Sequence, residues 1–236
     1  MHINVQLRII FVIVMGLSMF YIVTFFRPLA IFFHATTTLP VRRSDPSNDK
    51  FTSCLFDAQK TFANLSLPWF LTFGTALMYY RSNNFVSDDI DIGIFINDLK
   101  IGNITDDDFI LTIRKYGFNL LVRYGNMTHG QGWTLACPRS KLHFGIFVFY
   151  PAEPANNETF AWWTASYNGL CKHMRYRKCR WRFSKFEPVT FKMYHQSFQI
   201  VPKHFLIEQY GPDWMIPQTY GYIESLKFLP NLIYEH

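Results

Sequence analysis

The sequence predicts a mixed α/β fold, a largely twisted sheet with flanking helices, preceded by one membrane-spanning helix. Three observations lead there. Residues 9–26 carry no charge and are bounded by Arg8 and Arg27, close to the roughly 20 apolar residues that a bilayer span needs. Short apolar runs bounded by turn residues recur between residues 69 and 150, as strands do. Other stretches carry apolar residues at three-and-four spacing, the stripe of a core-facing helix. The 236 residues thus divide into a tail over 1–8, an anchor over 9–26, a stem over 27–50 and a domain over 51–236, long enough for one sizeable core.

Each element has its own signal. The apolar run at 9–26 is longer than that of a cleaved signal peptide, and Ala30 and Ala35 offer only poor cleavage sites, so it reads as an anchor. Residues 28–50 mix Thr, Pro, Ser, Asp and Arg with little periodicity, as a flexible stem does. A helix over 51–65 places Phe51, Leu55, Ala58, Phe62 and Leu65 on one stripe. Residues 69–73 read as a buried strand that Gly74-Thr75 breaks, residues 76–81 as a short helix, and 90–96 as the next strand. Thr105 followed by Asp106, Asp107 and Asp108 is a helix cap with charge favourable to the dipole, so this acidic run reads as a helix start rather than a metal site. Gly117 ends that helix; strands follow over 118–124, 132–137 and 142–150, with Gly125-Asn126 as a turn. Pro202 opens a last helix that Gly211 closes.

Chemistry concentrates at Gly74-Thr75 and Ser87-Asp88-Asp89-Ile90-Asp91-Ile92. Alternate residues of a strand share a face, so Asp89 and Asp91 project together while Ile90 and Ile92 face the opposite layer; Asp88 points the other way or sits in the preceding loop. Paired carboxylates suit a hard cation, Mg2+ or Mn2+, that keeps its remaining positions for water and phosphate. Strand, Gly-Thr turn, short helix, loop and acidic strand is the nucleotidyltransferase-like arrangement. In that reading the backbone of Gly74 and Thr75 and the Thr75 hydroxyl hold phosphate oxygens.

The run Phe73-Gly74-Thr75-Ala76-Leu77-Met78-Tyr79-Tyr80-Arg81, with Asp89-Ile90-Asp91-Ile92-Gly93-Ile94-Phe95-Ile96, resembles the fukutin and LicD-type phosphotransferase family. The strand at 146–150 and the segment from Val201-Pro202 through Tyr210-Gly211-Pro212-Asp213-Trp214-Met215-Ile216-Pro217 extend the resemblance over roughly residues 65–220. It implies a metal-dependent transferase of the Golgi lumen that moves a polyol phosphate, ribitol 5-phosphate or similar, from a CDP-linked donor to a protein-linked glycan. It also implies a charge-neutralising role for Arg81. Two departures stand out: Met78 occupies a place where the family has a small residue, and the third acidic residue expected on a later strand is missing, with Gly145 or His143 in its place. Asp88 or His143 is then the candidate base, and the alternative is a noncatalytic relative that binds a glycan or serves as a scaffold for related Golgi transferases.

Lys172, Arg175, Arg177, Lys178, Arg180, Arg182 and Lys185 hold more positive charge than the chain's formal net of +6. Interleaved with Tyr176, Trp181 and Phe183, this patch suits a phosphorylated acceptor or the donor's diphosphate, with Arg175, Arg177 and Arg180 as candidate contacts. An anionic headgroup and a solvated face are its other readings. Nucleic acid is not an expected partner, since a lumenal domain meets little of it. Aromatic residues make up 19% of the chain, 25 of them Phe, so rings are expected to dominate the core.

Topology signals conflict. Arg27, Arg42 and Arg43 outnumber Arg8 and the amino terminus, which by the positive-inside rule leaves the domain cytosolic. Sequons at Asn64, Asn103, Asn126 and Asn157 place it in the lumen of the Golgi or ER, the expectation adopted. Cys54, Cys137, Cys171 and Cys179 allow one or two disulfides there, and the last two, with His173 between them, alternatively part of a zinc site.

Overall fold

In the computed structural model the described residues are 49–83, 85, 89–152, 160–167, 178–218 and 229–235. The expected anchor over 9–26 lies outside them, as does the stem up to residue 48. Among the described residues no helix is long and apolar enough to cross a membrane.

Helix α1 (Lys50–Asn64) starts at Asp49, whose carboxylate accepts from the N–H groups of Phe51 and Thr52. Strand β1 (Phe70–Leu71) is followed at once by α2 (Phe73–Ser82), then β2 (Asp89–Phe95), α3 (Ile96–Ile101) and α4 (Asp106–Lys115). Thr105 and Asp108 form a reciprocal capping box at the start of α4. Asp106 accepts from Trp133 Nε1 at 2.8 Å and pairs with Arg123 at 3.2 Å, which bears out the reading of that acidic run as structural. Strands β3 (Asn119–Tyr124), β4 (Gly132–Ala136), β5 (His143–Pro151), β6 (Phe160–Ser166), β7 (Lys178–Ser184), β8 (Val189–Met193) and β9 (Gln196–Ile200) follow, then α5 (Lys203–Tyr210) and β10 (Leu232–Glu235).

The strands form one mixed sheet in the order β10-β7-β6-β5-β2-β1-β9-β8. β2 and β5 run parallel at its centre, and β4 and then β6 take the other edge of β5. One sheet face carries Ile90, Ile92, Ile94, Phe144, Ile146 and Val148, all fully buried. Phe62 of α1 and Phe109 of α4 cover it, with Phe62 against Phe144 and Phe109 against Trp133. The disulfide Cys54–Cys137 ties α1 to the end of β4 across a sequence separation of 83, a cross-link that adds about 4.5 kcal/mol by the loop-entropy estimate. Cys179 is also disulfide-bonded, so its sulfur is not available to the zinc site weighed as an alternative.

The opposite face carries Asp89, Asp91, Gly93 and Phe95 on β2 and His143, Gly145, Phe147 and Phe149 on β5. Rings fill its upper half. Phe73 meets Phe147 at 4.6 Å and Trp181 at 5.1 Å between centroids, and Phe183 stacks on Phe205 of α5 at 4.0 Å. Gly93 makes room for them.

Two expectations are corrected. The strand expected over 69–73 is only Phe70–Leu71, and the helix expected over 76–81 starts at Phe73, so Gly74 and Thr75 form its first turn instead of a loop before it. The reason is tertiary. Thr72 stands at the cap position without using its side chain, and a carboxylate from β2 takes up the freed helix N–H.

A β-carbon at Gly93 would lie 2.2 Å from Phe70 and 2.8 Å from Phe149. Gly93→Ala is therefore expected to destabilise the domain by about 1–3 kcal/mol in urea unfolding; an unchanged midpoint would show that those rings do not pack over this position.

Candidate active site: a carboxylate pair on one strand face

β2 alternates as the sequence predicts: Ile90 and Ile92 have no exposed surface, Asp91 is half-buried and Asp89 is open to solvent at the strand end. Both carboxylates therefore stand on one face. The parallel pairing with β5 sets His143 beside Asp89 and Gly145 beside Asp91. This register settles which residue occupies each place where a further acid was expected.

Asp91 is tied to the start of α2 through three hydrogen bonds. Gly74 N–H donates to Asp91 Oδ2 at 3.1 Å, Asp91 N–H donates to Thr75 Oγ1 at 2.8 Å, and Thr72 N–H donates to the Asp91 carbonyl at 3.1 Å. The carboxylate thus does the work of a helix cap and meets the positive end of the helix dipole. Glycines flank it. A β-carbon at Gly74 would come within 3.1 Å of Oδ2, and one at Gly145 within 3.2 Å of Oδ1. The backbone reaches this position through Phe73, whose φ of 43° is left-handed and costs of order 1 kcal/mol, held by the ring contacts around it.

Burial and the charge of Asp89 push the Asp91 carboxyl up to about 8, against the pull of the Gly74 and Thr75 N–H groups. Asp89 is raised as well, by partial desolvation, with His143 and the Ile90 N–H acting in the opposite sense. A pair that holds a proton in this way is short of a positive partner. The donor set fits a hard divalent cation: two carboxylates on one face, with Asp91 Oδ1 turned toward the space above Gly145. Among the described residues no group of three or more His, Cys, Asp or Glu forms a complete metal cage, so other oxygens have to complete the coordination.

The other candidates fall in different places. Thr75 is fully buried, with its hydroxyl accepting from Asp91 N–H, so Gly74 and Thr75 serve the carboxylate directly. Arg81, at the far end of α2, donates Nε to the Trp214 carbonyl at 2.7 Å and Nη2 to the carbonyls of Trp214 and Ile216; it fastens the segment after α5. Arg180 lies on β7, separated from β2 by β6 and β5. Its guanidinium sits 4.0 Å over the Trp163 ring, on the strand face alternate to Trp181, and so away from the carboxylates. Asp88, Arg175 and Arg177 lie outside the described residues.

One site residue was not foreseen. Tyr210, at the end of α5, is half-buried, and its phenol is raised by burial and by the charge of Asp91, with Arg81 lowering it. The only signal for it in the sequence is its place in the Tyr210-Gly211-Pro212-Asp213-Trp214 run, where it reads as a helix end.

Over 167 residues the chain is 29% identical to the protein named ribitol-5-phosphate transferase FKTN of Macaca fascicularis, Homo sapiens and Mus musculus. The alignments cover 68% of this chain and 32% of those proteins, so the chain spans about a third of the length of the curated relatives it matches. No protein-family model matches. Among solved structures, a lincosamide antibiotic adenylyltransferase with lincomycin bound superposes with a TM-score of 0.41 at 12% identity, over 64% of this chain and 80% of that one. In sequence, the chain is fukutin-like.

The raised Asp91 carboxyl has a consequence for stability. Its folded-state value exceeds the unfolded one, so stability is lost as pH rises from the ordinary carboxyl range through about 8. Asp91→Asn removes that loss. In the absence of divalent cations at pH 8.5, the variant's thermal midpoint is expected to exceed the wild type's by roughly 2–4 °C for each kcal/mol relieved, and Mn2+ to raise the wild type's midpoint but not the variant's. A variant less stable than wild type at that pH would contradict the desolvation argument.

Proposed function

We propose that this protein transfers a polyol phosphate, ribitol 5-phosphate or a close analogue, from a CDP-linked donor to a glycan carried on protein, in a divalent-cation-dependent reaction. The observation that carries this reading is the Asp89–Asp91 pair on one strand face, with Asp91 held by the first turn of α2, in a chain similar to a named ribitol-5-phosphate transferase.

Asp89 and Asp91 would hold Mg2+ or Mn2+, which when bound supplies neutralising charge to the donor's phosphate oxygens. Gly74 and Thr75 fix the orientation of Asp91, so no side chain has to reorganise as charge shifts. An acceptor hydroxyl attacks the donor phosphorus, the phosphorus–oxygen bond to CMP breaks, and the hydroxyl proton passes to a base. His143, exposed beside Asp89, is placed to take that proton on a ring nitrogen; Asp88 is the other candidate. Arg81 supports the site by holding the Trp214–Ile216 backbone near Tyr210. In phosphoryl transfer of this kind, positioning and charge stabilisation account for most of the catalysis.

A second reading has its own support: β5 supplies Gly145 and His143 beside the pair and no carboxylate, as in a relative that binds donor or glycan without turnover. For location we propose a single-pass Golgi or ER membrane protein with the domain in the lumen. The Cys54–Cys137 disulfide suits an oxidising compartment, and Asn64, Asn103 and Asn126 are all exposed.

With CDP-ribitol, CDP-glycerol and CDP-choline as donors, the wild type is expected to release CMP only with Mg2+ or Mn2+. Asp89→Ala should lower that release by about 100-fold or more with an unchanged circular dichroism spectrum. Donor binding without CMP release would favour the noncatalytic reading, and full activity in the variant would reject the site. A peptide N-glycosidase is expected to increase the gel mobility of protein expressed in animal cells; unchanged mobility would count against lumenal placement.

A further inference from the structure

The turn between β3 and β4 holds the sequon Asn126-Met127-Thr128 in a fixed shape. Asn126 Oδ1 accepts from the N–H groups of Thr128 and His129 at 3.0 and 2.9 Å and from the Thr128 hydroxyl at 2.7 Å. Tyr167, one residue beyond β6, closes the turn by donating to the carbonyls of His129 and Gly130. A β-carbon at Gly125 would lie 2.0 Å from the Gly130 carbonyl oxygen, so the loop has no slack there. With Oδ1 taking these bonds, Nδ2 is left to solvent: Asn126 is exposed, and among the described residues this nitrogen has no protein partner. The other two described sequons differ. Asn64 Nδ2 donates to the Lys60 carbonyl at 2.8 Å within α1, and the Thr105 hydroxyl of the Asn103 sequon is committed to the capping box of α4.

Asn126 stands two residues past the end of β3. That strand pairs with β4, and among the described residues no strand takes its other side. Leu121 and Val122 on it are 49% and 40% exposed. An open, apolar strand edge is a template for another chain, and proteins blunt such edges with a free charge, a proline or a bulge. β3 has a register shift at Leu121, no proline, and one charge, Arg123, which is drawn to Asp106 and Asp107 of α4 at 3.2 Å each. An oligosaccharide at Asn126 is bulky and hydrated. Val122 lies roughly 13 Å away along an extended chain, within reach of its first few sugars. The carboxylate pair stays clear of it: Tyr124 shares a row with Gly132, Phe147 and Gly93, toward the end of β2, whereas Asp89 begins that strand.

We propose that Asn126 carries an N-linked oligosaccharide that shields the open edge of β3 from strand addition by a second copy of this chain. In its attachment Nδ2 forms a bond to C1 of the sugar, and the bond from C1 to the diphosphate of a lipid-linked donor breaks with its electron pair leaving on the diphosphate oxygen. One amide proton is lost to the transferring enzyme. The proposal rests on the lumenal placement for the supply of that donor; the choice of Asn126 and the edge it covers stand on the turn and on β3.

The test starts from the full chain, purified from animal cells in mild detergent and treated with peptide N-glycosidase in 18O water, which turns each glycosylated Asn into labelled Asp for peptide mass spectrometry. Asn126 is expected to carry the label. Asn126→Asp keeps an oxygen for the Thr128 and His129 donors but offers no acceptor nitrogen. It is expected to lose the mass of one glycan and, by sedimentation, to self-associate about tenfold more strongly than the wild type. Adding Val122→Lys, a charge on the open edge, is expected to reverse that self-association. The proposal is overturned if label appears only at other sequons, if Asn126→Asp stays as dispersed as the wild type, or if Val122→Lys leaves its self-association unchanged. Label at no sequon would reject the lumenal placement itself and this proposal with it, whereas label elsewhere but not at Asn126 leaves that placement standing.

Discussion

Asp91 is the constraint around which this domain is arranged. Its carboxylate is pressed between the first turn of α2 and the backbone of β5, with a neighbouring carboxylate on the same strand face. Two acidic groups in partial burial repel each other and lose water, and the protein offsets only part of this through the Gly74 N–H and the helix dipole. The remainder is a standing cost. Sites that sacrifice stability in this way do so for a partner that arrives later, and two carboxylates on one face fit a hard divalent cation.

Several otherwise unrelated residues follow from that constraint. Gly74 and Gly145 are small because a β-carbon at either would press on the carboxylate. Thr75 gives up exposure to receive the Asp91 N–H, and Phe73 accepts a left-handed backbone because its ring is locked among Phe147, Trp181 and Phe205. The ring cluster on this face and the α1–α4 layer on the other make β2 and β5 a rigid base. Arg81 then ties the chain beyond α5 to α2, and Tyr210 at the end of α5 lies within the electrostatic reach of Asp91.

Much of this was legible in the sequence because it depends on local periodicity. Ile90 and Ile92 alternate with Asp89 and Asp91, so their faces follow from strand geometry alone. Thr105 and the acids after it cap α4 within a single turn, and strands β3, β4 and β5 lie within a residue or two of their expected limits. What escaped is non-local. The start of α2 was misplaced because its cap comes from Asp91, 17 residues away, while Thr72, the nearer candidate, leaves its side chain out. Four cysteines permit three pairings, and only packing brings Cys54 to Cys137. The basic run read as one patch, yet strand alternation turns Arg180 toward Trp163 and away from the carboxylates. Tyr210 carried no motif of its own; its relation to Asp91 exists only after α5 packs on the sheet.

In the proposed function Asp89 and Asp91 grip one divalent cation together. Anomalous diffraction from crystals grown with Mn2+ and CMP tests it most directly. The expected result is a single strong peak roughly 2.0–2.3 Å from a carboxylate oxygen of each aspartate, with a phosphate oxygen on its open side. No peak there, with both side chains bonded only to protein or turned into bulk solvent, would contradict it.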